Sequence, residues 1–491
     1  MNEPGRQAII ELEFIIIGGG LTGLATAHAL ASSGHRVRVF EKSSSGTSSS
    51  VAGVRVPPNG SRVLLQWGLS ERIRKCATEV PSLDFVDMES GERLGYLAMA
   101  EQIIEQLGAP PLGASHHGIH DMLHDLATTS GVQITYNAPV ISVSPSRASS
   151  TPSSLSIPLS TGIDRPSVTL ATGETFHADV IIGADGRDSV VRPVVEDIPP
   201  IPPPTPLVVY TGIIPMEVML ANDLTTDVVA MSAPYWTGDN VLVATDDQTW
   251  AVSIFVNEDS NEDAPTGWGA SISPRFVIRQ PLEPRLNAMI DRLPTVSRIK
   301  STAMPHASSW IDASERIIIA GEAAHPFTPC GLPVVSSALE DACVLGTLFS
   351  HIRHPSQIAS LLYAYEEICR PRAHAGHNLE LANLTLLRLP PGPARNVRNE
   401  IWATVKSLNQ EEDAHIHGRY DAEPEDQELR EQWQGLFEIW GFDARDAAED
   451  WWLKWGILEE RALGMTWAGE DDAFVDGMKS MSFQCVETVI E

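Results

Sequence analysis

The alternation of apolar and polar positions divides the chain before any other property is considered. Leu12, Phe14, Ile15, Ile16 and Ile17 form an apolar run that stops at Gly18, Gly19 and Gly20. Leu21, Leu24, Ala25, Ala27, Ala29 and Leu30 then read as a helix closing at Gly34, and Val37, Val39 and Phe40 alternate with polar residues up to Glu41. Residues 12–41 thus predict a strand–turn–helix–strand unit of about 30 residues. From Ser144 to Ser160 the chain is largely Ser, Pro and Thr, too polar to pack, and predicts a surface insertion. Residues 168–182 predict two strands around the turn Thr172-Gly173-Glu174, ending in the buried run Val180-Ile181-Ile182.

Prolines 199, 200, 202, 203, 204 and 206 predict a stiff spacer that is neither helix nor central strand, with a new domain starting near Leu207. Beyond it, Leu207–Tyr210, Asn240–Ala244 and Trp250–Val256 are β-prone, and Pro284–Leu293 is helical. Ile317, Ile318 and Ile319 predict another buried strand, followed by a helix from about Val334 to Phe349. After His351 the pattern is helical and acidic. This stretch holds seven of the 12 tryptophans (Trp402, Trp433, Trp440, Trp451, Trp452, Trp455, Trp467), which read as helix-packing anchors. No internal repeat is visible.

Length and charge narrow the function. A chain of 491 residues suggests roughly three domains at about 150 residues each. The net charge of −30, from 34 Lys and Arg against 64 Asp and Glu, repels phosphate backbones and anionic lipid, so a nucleic-acid partner is not expected. No apolar run approaches the ~20 residues of a membrane span. Five cysteines without a CxxC pair, and an N-terminus without a secretory succession, predict a reducing, cytoplasmic setting. No metal site is expected.

Gly18-x-Gly20-x-x-Gly23 follows a strand and opens a helix, and Glu41 ends the next strand. In that setting the glycines permit a tight turn and close approach to a pyrophosphate, the helix start offers amide donors, and Glu41 can accept from a ribose. A bound dinucleotide is the expectation.

Two later segments bear on which dinucleotide. Gly183-Ala184-Asp185-Gly186-Arg187-Asp188 follows one buried strand, and Gly321-Glu322-Ala323-Ala324-His325-Pro326 follows another. With the glycine turn they resemble the three signatures of the single-component FAD-dependent aromatic monooxygenases with the p-hydroxybenzoate hydroxylase fold, closest to the salicylate-hydroxylase-like enzymes of fungi, over roughly residues 12–350. The resemblance implies an α/β fold. A Rossmann-like three-layer FAD-binding domain (1–195 plus 301–350) would be joined to a mixed-sheet substrate domain (196–300) and a helical C-terminal region (351–491).

The resemblance also implies FAD as cofactor, NAD(P)H as transient co-substrate and dioxygen as oxidant. Gly18, Gly20, Leu21, Thr22, Gly23, Glu41 and Lys42 would hold the dinucleotide, Asp185 and Gly186 would lie near its pyrophosphate, and Glu322 would hold the ribityl chain. Gly53 and Val54 match the loop beside the flavin ring. His120 stands where the family has a flavin-contacting Arg. The family's Gly-x-Gly falls on Leu332-Pro333-Val334, so only Gly331 survives nearby; a helix starting at Pro333 would instead offer the amides of Val335 and Ser336. Tyr210, Tyr235 and His306 are the catalytic candidates by the same analogy. The implied reaction is hydroxylation of a phenolic substrate through a flavin hydroperoxide, possible on a hydroxybenzoate with loss of carbon dioxide. Epoxidation of a terpenoid-type or prenylated alkene, and flavin binding without oxygenase activity, stay open beside it. The oligomeric state is not legible.

Overall fold

A computed structural model describes residues 6–46, 52–99, 101–145, 165–196, 204–231, 233–238, 241–245, 249–257, 271–272, 282–302, 304–403 and 435–462. The apolar run at the start forms the strand Glu13–Ile17, the centre of a five-stranded parallel sheet. Its neighbours are Arg36–Phe40 and then Gln133–Thr135 on one side, and Val180–Gly183 and then Ile317–Ile319 on the other. Strands buried on both faces need continuous apolar side chains, and Ile15, Ile16, Ile181, Ile182 and Ile317–Ile319 are all buried. Helices Leu21–Ser32, His116–Thr129 and Pro333–Ser350 pack together as one layer. A three-stranded antiparallel meander (Val140–Ser144, Ser167–Leu170, Thr175–His177) contributes Phe176, whose ring lies 4.9 Å from that of Phe40 in the parallel sheet.

The insertion read between Ser144 and Ser160 falls mostly on residues 146–164, outside the described ones. Its flanks are informative: Ser144 and Ser167 are directly paired across an antiparallel ladder. Replacing residues 146–164 by a short turn is therefore expected to close a hairpin already in register, leaving thermal midpoint and FAD content unchanged. Loss of either, measured by melting and by flavin absorbance after gel filtration, would show that the segment does more than connect.

The second sheet has eight strands, in the order Ser271–Ile272, Val296–Thr302, Pro204–Pro215, Thr249–Asn257, Val241–Thr245, Pro234–Thr237, Ser82–Asp87 and Arg93–Ala98. Two sequence expectations change here. The proline run does not precede the sheet as a spacer throughout: Pro204 and Pro206 begin a central strand. That is tolerated because pairing with Thr249–Asn257 starts only at Leu207, and the register with Val296–Thr302 jumps between Pro204 and Val208, so neither proline owes a ladder amide. Secondly, the sheet is not built from 196–300 alone. Residues 82–98 supply the last two strands at one end of it, Pro234–Thr237 pairing in parallel with Ser82–Asp87. A parallel pairing between segments 150 residues apart leaves no local signal in sequence.

After His351 the described residues are helical, chiefly a 30-residue helix Ile358–Leu387. The tryptophans divide. Trp402 stacks on Phe85 of the second sheet (4.3 Å, 17°), anchoring helix to sheet, whereas Trp440 packs with Met99 and with Leu107 of the helix Glu101–Leu107, as a helix-packing anchor. Trp455 is 55% exposed, and Trp433 and Trp467 lie outside the described residues. The described residues beyond Ala448, numbers 449–462, belong to a second unit, with a π-helical turn Trp452–Gly456 and the helix Ile457–Ala462. Cys76, Cys330, Cys343 and Cys369 are free thiols. No helix among the described residues is long and apolar enough to cross a membrane, and no group of His, Cys, Asp or Glu among them could hold a metal.

Candidate active site

The strand Glu13–Ile17 ends in a glycine loop whose geometry follows from the missing side chains. Gly18 sits at φ 103°, where a Cβ would run into the carbonyl of Ala184, and a Cβ on Gly23 would overlap the carbonyl of Gly18. Gly20 has ordinary extended backbone (φ −76°, ψ −174°), and a Cβ there would meet no protein atom within 4 Å. It faces open space. That space is a cavity of about 280 Å³ at the C-terminal end of the parallel sheet.

Nine of the expected cofactor residues line it: Gly18, Gly20, Leu21, Thr22, Glu41, Lys42, Asp185, Gly186 and Glu322. The helix Leu21–Ser32 opens into it without a side-chain cap and without an acidic residue in its first turn, so its amides are available to an anion. Glu41 organises the loop, accepting from the amides of Gly19 (2.6 Å) and Ser43 (2.7 Å). Asp185 accepts from the Val190 amide (2.7 Å) through one oxygen, while its other oxygen is buried and has no partner; burial raises its pKa. Glu322 is paired with Arg187 (3.1 Å), which also donates to the Phe327 carbonyl. A glycine whose Cβ would protrude into the cavity, an uncapped helix start and an orphaned buried carboxylate oxygen together fit the pyrophosphate region of a dinucleotide such as FAD.

The other expected cofactor residues do not line this cavity. Gly23 is internal to the turn. Gly53 and Val54 lie in the strand Gly53–Val56, paired with Leu112–Ser115, and the neighbouring Ala52 carbonyl accepts the His116 amide. His120 stands against the glycine loop, its Nε2 3.0 Å from the Gly19 carbonyl. The helix expected from Pro333 is present, Pro333–Ser350. Val334 and Ala338, one turn apart, line the cavity; Ser336 points about 200° away, against Gly60, and its hydroxyl donates to the Pro333 carbonyl. With Leu332 as N-cap, the unbonded helical amides are those of Val334 and Val335, and Ser336 is already the fourth residue in.

Gly331 carries a different role. A Cβ there would overlap the carboxylate of Glu380, which is 4% exposed and accepts from the Thr328 amide at 3.3 Å. Burial pushes Glu380 up to about 7, against the pull of Arg55. A carboxyl raised in the folded state binds its proton more tightly there than when unfolded, so its contribution is fully present only below the ordinary value of 4.5 and is lost as pH rises from there through about 7. Glu380→Gln is accordingly expected to leave stability nearly unchanged at pH 4 and to raise it at pH 8, by up to about 3 kcal/mol in denaturant unfolding. Equal effects at both pH values would contradict the assignment.

The catalytic candidates separate. Tyr210 is 3% exposed in the core of the second sheet, among Trp236, Trp250 and Met289. His306 packs 4.8 Å from both His374 and His377, and burial lowers its pKa to about 3; it lines neither cavity. Tyr235 does line one: a second, smaller cavity of about 40 Å³ between the second sheet and the strands Gly53–Val56 and Leu112–Ser115, with Arg55, Val80, Leu83, Met99, Leu112, Leu332 and Trp440. Its hydroxyl accepts from Arg55 at 2.9 Å.

Sequence reasoning missed His116, Val334, Ala338, Arg55 and Glu380. His116 lines the main cavity as the first residue of its helix, and burial lowers it to about 4, so it is neutral at physiological pH. Only the arginine following Gly53-Val54 carried a usable signal, a charge inside an otherwise apolar strand.

Comparison with known proteins agrees with this geometry. Residues 11–378 match the family model described as FAD binding domain. The FAD-dependent monooxygenase OpS4 of Beauveria bassiana is 27% identical over 414 residues, covering 82% of this chain and 91% of that protein. The 3-hydroxybenzoate 6-hydroxylase of Klebsiella oxytoca is 25% identical over 398 residues, covering 79% and 91%. The crystal structure of CtdE in complex with FAD and a substrate superposes with a TM-score of 0.69 at 18% identity, covering 90% of this chain and 98% of that one. The three motif segments around one cavity and the family match over most of the chain lead to one conclusion: the protein belongs to the FAD binding domain family, as an FAD-dependent monooxygenase of the aromatic-hydroxylase type.

Proposed function

We propose that this chain hydroxylates a phenolic substrate, with NAD(P)H as reductant and dioxygen as the oxygen source. The observation that carries the reading is the second cavity. Its walls are apolar except for the Arg55 guanidinium and the Tyr235 hydroxyl, it shares Leu332 with the start of the helix whose Val334 lines the dinucleotide cavity, and it draws residues from the second sheet and from the strand pair Gly53–Val56 and Leu112–Ser115. FAD, when bound, accepts a hydride and activates dioxygen.

The protein's part is positioning and exclusion of water. Val80, Leu83, Met99 and Trp440 supply a dry wall for an aromatic ring. The Tyr235 hydroxyl accepts from Arg55, which leaves its own proton free to donate to a phenolic oxygen and fix the ring's orientation. Neutral His116, facing the dinucleotide, holds no proton it must lose at physiological pH. The test is NADH and NADPH consumption by the FAD-loaded enzyme against a panel of phenols, hydroxybenzoates and prenylated derivatives, with product masses. A gain of 16 mass units, or of 16 with loss of 44, is expected for at least one phenol; oxygenation of only non-aromatic alkenes would replace this reading.

A further inference from the structure

The second cavity is smaller than the ring assigned to it. It measures about 40 Å³, whereas a cavity that takes up a single benzene ring is on the order of 150 Å³. One wall must therefore yield. Much of the lining is fixed by its own backbone: Arg55, Leu112 and Tyr235 sit in paired strands, and Pro57 and Leu332 are the residues from which the helices Pro58–Gln66 and Pro333–Ser350 start. Trp440 is the largest side chain on the wall. It ends a short helix over residues 435–440, beyond the stretch 11–378 that matches the family.

The indole is held differently from the chain that carries it. Arg372 donates to the carbonyls of Glu438 (3.2 Å) and Ile439 (2.7 Å), and Arg62 donates to the Phe442 carbonyl and pairs with Asp443 at 3.4 Å. The backbone is thus tied down on both sides of Trp440. The side chain is buried in an apolar cluster with Met99 and Leu107 and makes no hydrogen bond to any described residue, whereas Trp236 donates its Nε1 to Glu283 at 2.8 Å. Apolar packing alone holds it. Behind it lies a further cavity of about 10 Å³, and Pro57, Leu332 and Trp440 are the three residues that line both. A change of rotamer at Trp440 therefore enlarges the second cavity without moving the main chain.

We infer that Trp440 sets the size of substrate admitted to the second cavity: a single ring enters by displacing the indole, and a larger one is kept out by it. The inference rests on the aromatic-substrate reading above and adds the residue that limits it. Replacing the indole by a methyl group removes the side chain that stands between the two cavities, so a second ring on the ligand gains the room bordered by Pro333, Ser336 and Leu379. A phenyl group in its place removes only part of that wall. The lost packing weakens the site for every ligand alike, whereas the gained room favours only the larger ones. The ratio of affinities for large and small ligands therefore reports the role, and neither affinity does so by itself.

The test titrates phenol, 2-naphthol and 4-phenylphenol into the FAD-loaded protein by calorimetry. In Trp440→Ala the affinity for the two-ring compounds relative to phenol is expected to rise ten-fold or more over wild type. Trp440→Phe, which keeps most of the packing and guards against a variant that does not fold, should raise the same ratio about three-fold. Leu436→Ala is the packing control: Leu436 lies against the same apolar cluster but lines neither cavity, and the ratio should stay within about two-fold of wild type. A ratio unchanged in both Trp440 variants, an equal rise in Leu436→Ala, or failure of every compound to bind any of the proteins would overturn the inference. Product masses on the same compounds separate the two levels. A ratio shifted by the Trp440 variants without any oxygenated product keeps Trp440 as the size limit and removes the hydroxylase reading. Oxygenated product with an unshifted ratio does the reverse.

Discussion

Gly20→Val is expected to yield a folded protein that purifies without FAD. The position has unstrained extended backbone, and a Cβ there meets nothing of the protein, so folding has no reason to fail. The same side chain projects into the cavity where the pyrophosphate must come within hydrogen-bonding distance of the first amides of the helix Leu21–Ser32. Gly23→Val is the contrast: its Cβ overlaps the Gly18 carbonyl, and loss of the fold itself is expected. Glu41→Ala should also lower flavin content, because it releases the Gly19 amide and removes the acceptor at the end of the second strand. Flavin absorbance after gel filtration, read beside the circular dichroism spectrum, checks all three. Stoichiometric FAD on Gly20→Val would remove the dinucleotide from this cavity.

Arg372→Met is expected to be the most destabilising single change outside the glycine loop. Arg372, on the helix Ile358–Leu387, donates to Glu340 at 3.0 Å and to the Ile439 carbonyl at 2.7 Å, and stacks over Phe442. Glu340 also accepts from Asn59 at 2.6 Å, so one buried carboxylate joins the helices Pro58–Gln66, Pro333–Ser350 and Ile358–Leu387. Burial already raises the pKa of Glu340, with Arg372 the main opposing influence. Removing Arg372 leaves that carboxylate uncompensated at a cost of about 3–5 kcal/mol. The loss should be larger at pH 8 than at pH 5, since protonation relieves an unpaired carboxyl, and the double variant Arg372→Met with Glu340→Gln should recover part of it. Denaturant titrations at the two pH values decide; a pH-independent loss would point to packing against Phe442 instead.

The dinucleotide half of the site was legible because each of its parts is local. Gly18, Gly20, Gly23 and Glu41 occur within one strand–turn–helix–strand unit, and Asp185 and Glu322 each follow a short apolar strand that can only be buried. Local chemistry sets such turns: no side chain fits at Gly18 or Gly23, and an uncapped helix start presents its amides wherever it is placed. The helix from Pro333 was legible for the same reason, since proline favours a first turn.

The substrate half was not. Tyr210 and Tyr235 look alike in sequence, each in a short β-prone stretch, yet one is locked in the sheet core and the other borders a cavity. The difference arises because Pro234–Thr237 pairs with Ser82–Asp87, a strand 150 residues earlier that the sequence placed in the other domain. His120 and Ser336 depend on detail of the same kind: His120 packs against the Gly19 carbonyl, and Ser336 lies one position too far into its helix to keep a free amide once Leu332 is the N-cap. By itself the sequence determined the nucleotide loop, the parallel strands and the helix starts, all fixed by the conformations that a few consecutive residues can adopt. Only the tertiary structure decided that Arg55 shares a cavity with Tyr235 and that Glu380 lies beneath Gly331, because burial and pairing of charges are properties of segments brought together from distant parts of the chain.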